Sequence, residues 1–232
     1  MRNKENSGNW LKRNLPDGEN REFLENYKNR KAMAESWSPR DVVERIERIR
    51  PLQIKVILTL QYLFGSRISE ILKLRKKDIT FDLDGSLIAR IQTEKRRDGH
   101  VKVIAINPNN NPELKPLFVE FFEYWSKRQI DKLDPEAYLF GDPEFVQVKR
   151  GDKYYLDNKL RMSVYYYAIK HAGLNPHLLR HARLSWLAHT KKKEFENVDR
   201  LLLVKTIADF TKFDSAEAYV RNMNLKQMKE VL

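Results

Sequence analysis

The sequence predicts a mainly α-helical chain with a small antiparallel three-stranded β-sheet inserted early. Three observations carry that reading. Apolar residues recur at helical spacing behind start and stop signals between residues 38 and 74. Three short β-branched runs separated by turn residues follow between 79 and 106. Helical periodicity then returns and holds from 114 onward.

The first 38 residues are rich in Asn, Glu, Lys and Arg, and Gly8, Pro16 and Gly18 break any long pattern. A helix fits Glu22–Met33, where Phe23, Leu24 and Tyr27 share a face. This segment reads as an arm or the remnant of a larger N-terminal module. Ser38-Pro39-Arg40-Asp41 is a helix start: a Ser cap, Pro in the first turn and an acid three residues on. The first helix then runs Asp41–Ile49 and stops before Pro51. A second, Leu52–Phe64, is apolar on most faces and so belongs at the centre of the core. Gly65-Ser66 end it, and a third helix over Ile68–Leu74 follows. The strands are Ile79–Phe81, Leu87–Thr93 and Val101–Ile106, joined through Asp82–Gly85 and Arg96–Gly99. After Pro108–Pro112 the expected helices are Leu114–Arg128, Asn158–Ala172, His177–Thr190, Val198–Phe210 and one from Ser215, with a short segment at Tyr138–Phe140.

Composition narrows the function. The 232 residues carry 44 Lys and Arg against 32 Asp and Glu, a net charge of +12, and no cysteine. Without cysteine there is no disulfide, Cys-ligated zinc, iron–sulfur cluster or thiol nucleophile, which suits a reducing, cytoplasmic setting. The longest apolar run, Val56–Phe64, is interrupted by Thr59, Gln61 and Tyr62, and Met1–Asn6 has no apolar character, so neither a membrane span nor a secretory signal is expected. A pI near 9.7 points to a polyanionic partner, nucleic acid first, although lysine-rich proteins from hot habitats are basic too.

Four places carry chemistry. In Gly65-Ser66-Arg67-Ile68-Ser69-Glu70, an Arg follows a glycine break at a helix start, where backbone N–H groups also favour an anion, and Glu70 can hold the guanidinium. A surface Arg–Glu pair on an ordinary helix has the same spacing. In Asn175-Pro176-His177-Leu178-Leu179-Arg180-His181, His177 and Arg180 share a helix face, and a phosphate between them would relieve their repulsion. A zinc site on His177, His181 and His189 lacks an acidic ligand at a persuasive spacing. Lys95 closes a strand just before the Arg96–Gly99 turn, which is equally the pattern of a solvated hairpin. Tyr219 lies on the last helical stretch, where a lone tyrosine is ordinarily core or interface.

In the order Arg…Lys…His-x-x-Arg…Tyr, with Gly-x-Arg-x-Ser-Glu-Ile-Leu-x-Leu around the first Arg, the chain resembles the tyrosine recombinase (phage integrase) family. The resemblance spans Ser38–Arg221 and implies that family's catalytic-domain fold. It implies that Tyr219 attacks a DNA phosphodiester to give a 3′-phosphotyrosyl link and a free 5′-hydroxyl. Arg67 and Arg180 would then take the non-bridging oxygens. Lys95 would protonate the leaving 5′-oxygen, and His177 would act as general acid, general base or hydrogen-bond donor. It implies no metal and no cofactor, double-stranded DNA as partner, and a homo-oligomer, a tetramer, assembled on DNA. Arg96, Arg97 and Lys102 share the hairpin of Lys95. Family members place a donor, His or Trp, nine residues before the nucleophile; here that position is Phe210, which offers no N–H. Thr211 or Lys212 is a possible substitute.

The expected organisation is thus an arm or core-binding-domain remnant at 1–38, a catalytic domain at 39–221 and a tail at 222–232. In that tail Leu225, Met228, Val231 and Leu232 would dock on a neighbouring subunit or pack in cis. Arg75–Lys77, Arg96-Arg97 and Lys149–Lys153 are candidate phosphate contacts. The leading function is a site-specific recombinase, an integrase of a mobile element. A type IB topoisomerase shares its chemistry, and a DNA-binding relative without efficient cleavage shares its fold.

Overall fold

The computed structural model describes residues 31, 33–93, 100–110, 112–150, 153–190 and 199–208. Lys95, Phe210, Tyr219 and the tail lie outside them, as do most of Glu22–Met33 and the stretch from Ser215.

Helix α1 (Pro39–Glu47) starts as its residues dictate. The Ser38 Oγ accepts from the Asp41 amide, and the Asp41 carboxylate accepts from the Ser38 N–H at 2.8 Å. The Ser38 hydroxyl, which donates to that carboxylate at 2.7 Å, and then the Ser38 N–H hold the Asp41 carboxyl below its usual range. Helix α2 (Leu52–Leu63) is buried all round from Val56 to Leu63, so the other elements pack around it. Helix α3 spans only Ile68–Ile71, shorter than the expected Ile68–Leu74. A 3₁₀ turn at Lys76–Asp78, with Asp78 accepting from the Arg75 amide at 2.8 Å, swings the chain into the sheet.

The main sheet runs β1 (Ile79–Phe81), β2 (Leu87–Gln92) and β3 (Val101–Ile106) in spatial order β1-β2-β3, all antiparallel, with Ile91 opposite Lys102, Ala89 opposite Ile104 and Leu87 opposite Ile106. All six of those residues are buried. The alternation puts them on one face, against the helices. Helix α4 (Lys115–Lys127) closes the sheet's edge, where Phe81 packs edge-on against Trp125 with ring centres 5.2 Å apart and leans on Phe122 at 5.4 Å. Lys55 on α2 pairs with Glu120 on α4 at 2.6 Å.

The expectation of a single sheet is corrected by a second hairpin, β4 (Phe145–Arg150) paired with β5 (Lys153–Asn158). Val146, Val148, Tyr154 and Tyr155 are strand formers, and Gly151-Asp152 separates the two runs. The charges of Lys149–Lys153, a candidate phosphate contact by sequence, mask that strand signal. The hairpin leads into α5 (Lys159–Ala172), α6 (Pro176–His189) and α7 (Arg200–Ala208). Gly173 takes the left-handed conformation (φ 59°) that ends α5. Ala34 and Trp37, before the boundary expected at residue 38, are buried in the same core. Among the described residues no helix is long and apolar enough to cross a membrane.

Ile57 lies at the middle of α2 and is fully buried. Ile57→Ala is expected to lower the unfolding free energy by about 2–5 kcal/mol in urea titrations, because the neighbours of a central helix cannot collapse into the void.

Candidate active site

The site is built where the end of α2, the start of α3, the inner face of the sheet, α6 and the end of α7 meet. Gly65 turns the chain with φ 54°, and a Cβ there would stand 3.0 Å from Ile207 Cγ2, so both the backbone and the space favour glycine. Two residues later Arg67 opens α3. Glu70 accepts from the Arg67 amide at 2.9 Å through one oxygen and from Arg67 Nη1 at 2.6 Å through the other. The Glu70 side chain is fully buried while that of Arg67 is 18% exposed, so the carboxylate anchors a guanidinium that reaches the surface.

Helix α6 supplies the second arginine. Asn175 caps the helix, accepting from the His177 amide at 2.9 Å, and Pro176 occupies the first turn. Leu178, Leu179 and Ala182 are buried, which fixes the helix rotation and turns Arg180 inward, where it is 3% exposed. Its Nη1 donates to the Gly65 carbonyl and its Nη2 to the Ala208 carbonyl, both at 2.6 Å. Arg180 is therefore bonded to the turn that launches Arg67, although Gly65 and Arg180 stand 115 residues apart in sequence. His177 is exposed at the same end of α6.

Lys102 completes the cluster. Its Nζ donates to the Ile207 carbonyl at 2.9 Å and lies 3.9 Å from the Glu70 oxygen that holds the Arg67 amide. It is 4% exposed. The sequence reading had it only as one of several cations in the Lys95 hairpin. The missed signal is phase: in Val101-Lys-Val-Ile-Ala-Ile106, the lysine falls in step with Ile104 and Ile106, which face the core.

His181 sits one turn beyond His177, ring edge to face, with centres 4.7 Å apart. Burial, followed by the charges of His177, Lys31 and Arg180, pushes it from its ordinary 6.5 down to about 3, so it is neutral at neutral pH. The Glu35 carboxylate, 4.0 Å from its Nδ1, does not offset that burial. Arg183 is buried beneath the turn, with its guanidinium centre 5.0 Å from the Trp186 ring and 5.6 Å from the Tyr62 ring. Burial raises the Tyr62 phenol to about 12.

The Arg75–Lys77 segment is engaged in cis. Arg75 and Lys77 both pair with Glu136, at 2.6 and 2.5 Å, and Lys76 donates to the Asp131 and Leu133 carbonyls. Among the described residues no group of three or more His, Asp and Glu has a metal-binding arrangement. Of the sequence-derived site residues, the structure thus brings Arg67 and Arg180 to one turn, with His177 on the helix that carries Arg180. Lys95, Phe210 and Tyr219 fall outside the described residues.

No family model matches the chain, and no curated protein matches it by sequence. Solved structures do. The XerH site-specific recombinase bound to difH substrate, in a pre-cleavage complex, superposes with a TM-score of 0.53 at 16% identity, over 78% of this chain and 48% of that one. The same recombinase on a palindromic difH substrate, in a post-cleavage complex, gives a TM-score of 0.56 at 16% identity, over 83% and 50%. The chain spans about half the length of these structures. The likeness is one of fold, and it is the fold implied by the resemblance of the sequence motifs to tyrosine recombinases.

A buried neutral histidine makes stability depend on pH with a definite sign. Between about 3 and 6.5 the unfolded chain holds a proton on His181 that the folded chain lacks, so stability falls as pH drops through that window, by up to about 1.4 kcal/mol per pH unit. Urea unfolding of the wild type and His181→Asn between pH 4 and 8 should diverge below 6.5, the wild type falling more steeply. Parallel profiles would show that the imidazole protonates freely in the fold.

Proposed function

We propose that the chain is a site-specific DNA recombinase of the integrase type that cleaves and rejoins DNA through a 3′-phosphotyrosine intermediate. The observation that carries this reading is the bond from Arg180 to the Gly65 carbonyl, which joins two distant arginine motifs at one turn. Two arginines anchored at one turn suit a phosphodiester, which offers two non-bridging oxygens and gains negative charge in the transition state. The fold shared with a site-specific recombinase whose solved structures hold its difH substrate supports a DNA partner here.

In this reading the Tyr219 oxygen forms a bond to the scissile phosphorus while the bond to the 5′-oxygen breaks. Lys95 gives its proton to that departing oxygen, and His177, at the exposed start of α6, exchanges a proton with the nucleophile or donates to the phosphate. Arg67 is steadied by Glu70, and Arg180 is held by two carbonyls. Both guanidinium planes are therefore set before DNA arrives, which limits the reorganisation left to the reaction. The ester bond to tyrosine conserves the energy of the original phosphodiester, so a second 5′-hydroxyl reverses the step without a nucleotide cofactor. The 1–38, 39–221 and 222–232 organisation, and tetramer assembly through the tail, belong to this reading. So does the role of Phe210, whose lack of an N–H leaves one transition-state donor to another residue.

Incubation with a nicked suicide duplex tests the proposal. A covalent protein–DNA adduct is expected, absent in Tyr219→Phe and formed on the order of 10²–10³ times more slowly in Arg180→Ala. Binding measured by fluorescence anisotropy should weaken steeply with salt in all three proteins. Salt-sensitive binding with no adduct from the wild type would instead identify a DNA-binding module that has lost cleavage.

A further inference from the structure

The inward-facing Lys102 occupies a position that an apolar residue would suit. Its neighbours in phase on β3 are Ile104 and Ile106, and its cross-strand partner is Ile91. An ammonium buried there costs free energy unless it is paired and hydrogen-bonded. Two of its partners come from other elements: the Glu70 carboxylate of α3 at 3.9 Å and the Ile207 carbonyl of α7 at 2.9 Å. Ile207 and Ala208 are the last two described residues of α7. Lys102 holds the first of these and Arg180 the second. This part of α7 is thus held by two cations, and each of them also touches the Arg67 turn, Lys102 through Glu70 and Arg180 through the Gly65 carbonyl. Tyr219 lies eleven residues beyond Ala208 in the sequence.

We propose that Lys102 is a positioning residue for the reaction. Its ammonium bridges Glu70 and the Ile207 carbonyl, and so sets where α7 stands relative to the turn that carries Arg67. The inference rests on the recombinase reading, and it separates Lys102 from Lys95: one lysine of this hairpin holds the frame and the other serves the leaving group. A displacement of about 1 Å in a reacting group is enough to slow a positioned reaction on the order of 10²-fold.

The test compares wild type, Lys102→Met, which keeps length without charge, and Lys102→Arg, with Lys102→Gln replacing the Met variant if that does not fold. Three quantities are read: duplex affinity by anisotropy, adduct formation at saturating nicked duplex, and amide hydrogen exchange over residues 200–208. Lys102→Met should bind DNA within about threefold of wild type and form adduct on the order of 10²-fold more slowly. Its α7 amides should exchange at least about tenfold faster, and Lys102→Arg should recover most of the adduct rate. Unchanged adduct formation overturns the proposal, as does a loss of affinity that matches the loss of rate, which would make Lys102 a DNA contact. If wild type forms no adduct, the recombinase reading fails by itself. Exchange in α7 then decides the anchoring alone: faster exchange in Lys102→Met supports it, and unchanged exchange overturns it.

Discussion

The bonds from Arg180 to the carbonyls of Gly65 and Ala208 are the joint on which the candidate site depends. A guanidinium has a planar fork of donors in fixed geometry, so one side chain can tie two backbone segments together and set their mutual angle. Here the two segments are the turn that launches Arg67 and the end of α7. The joint needs α6 at the right rotation, which Leu178, Leu179 and Ala182 impose by burial. It also needs a turn without a side chain at residue 65, where φ is 54° and a Cβ would crowd Ile207 at 3.0 Å. Burying a charged group at such a point is favourable only with hydrogen bonds of good geometry, and both carbonyl bonds are short.

Glu70 plays the complementary part from the opposite sign. Its carboxylate is fully buried, accepts from both the amide and the guanidinium of Arg67, and faces the Lys102 ammonium. One acid therefore organises cations from α3 and β3, much as Arg180 organises carbonyls from α2's end and α7. Helix α6 is finished in the same manner, with Arg200 donating to the Leu187 and Thr190 carbonyls. Side-chain cations bonded to carbonyls at helix ends recur in this protein.

Much of this was legible in the residues. The Ser38 cap, the apolar α2 and the three strands follow from periodicity and capping signals whose causes are local. The Gly65–Leu74 and His177–His181 motifs likewise marked Arg67 and Arg180. Less legible was whatever depends on context. The β4–β5 hairpin was hidden because its charged tip drew the eye from its strand formers. Helix α3 ends early, and the chain just beyond it is taken up by distant partners, the Leu74 carbonyl accepting from the Leu139 amide and the Lys76 amide donating to the Ala137 carbonyl. Lys102 looked like one more surface charge, and only its phase with Ile104 and Ile106 betrays its burial. Arg75–Lys77 looked like a run open to phosphate, and nothing local announces Glu136, some 60 residues away, as its partner.

In the proposed reading Arg67 and Arg180 form one phosphate-binding centre. The most direct measurement is a crystal structure of the chain bound to a short DNA duplex. The account predicts a single phosphate within hydrogen-bonding reach, roughly 3 Å, of both guanidinium groups. A duplex bound elsewhere, or two different phosphates on the two arginines, would contradict it.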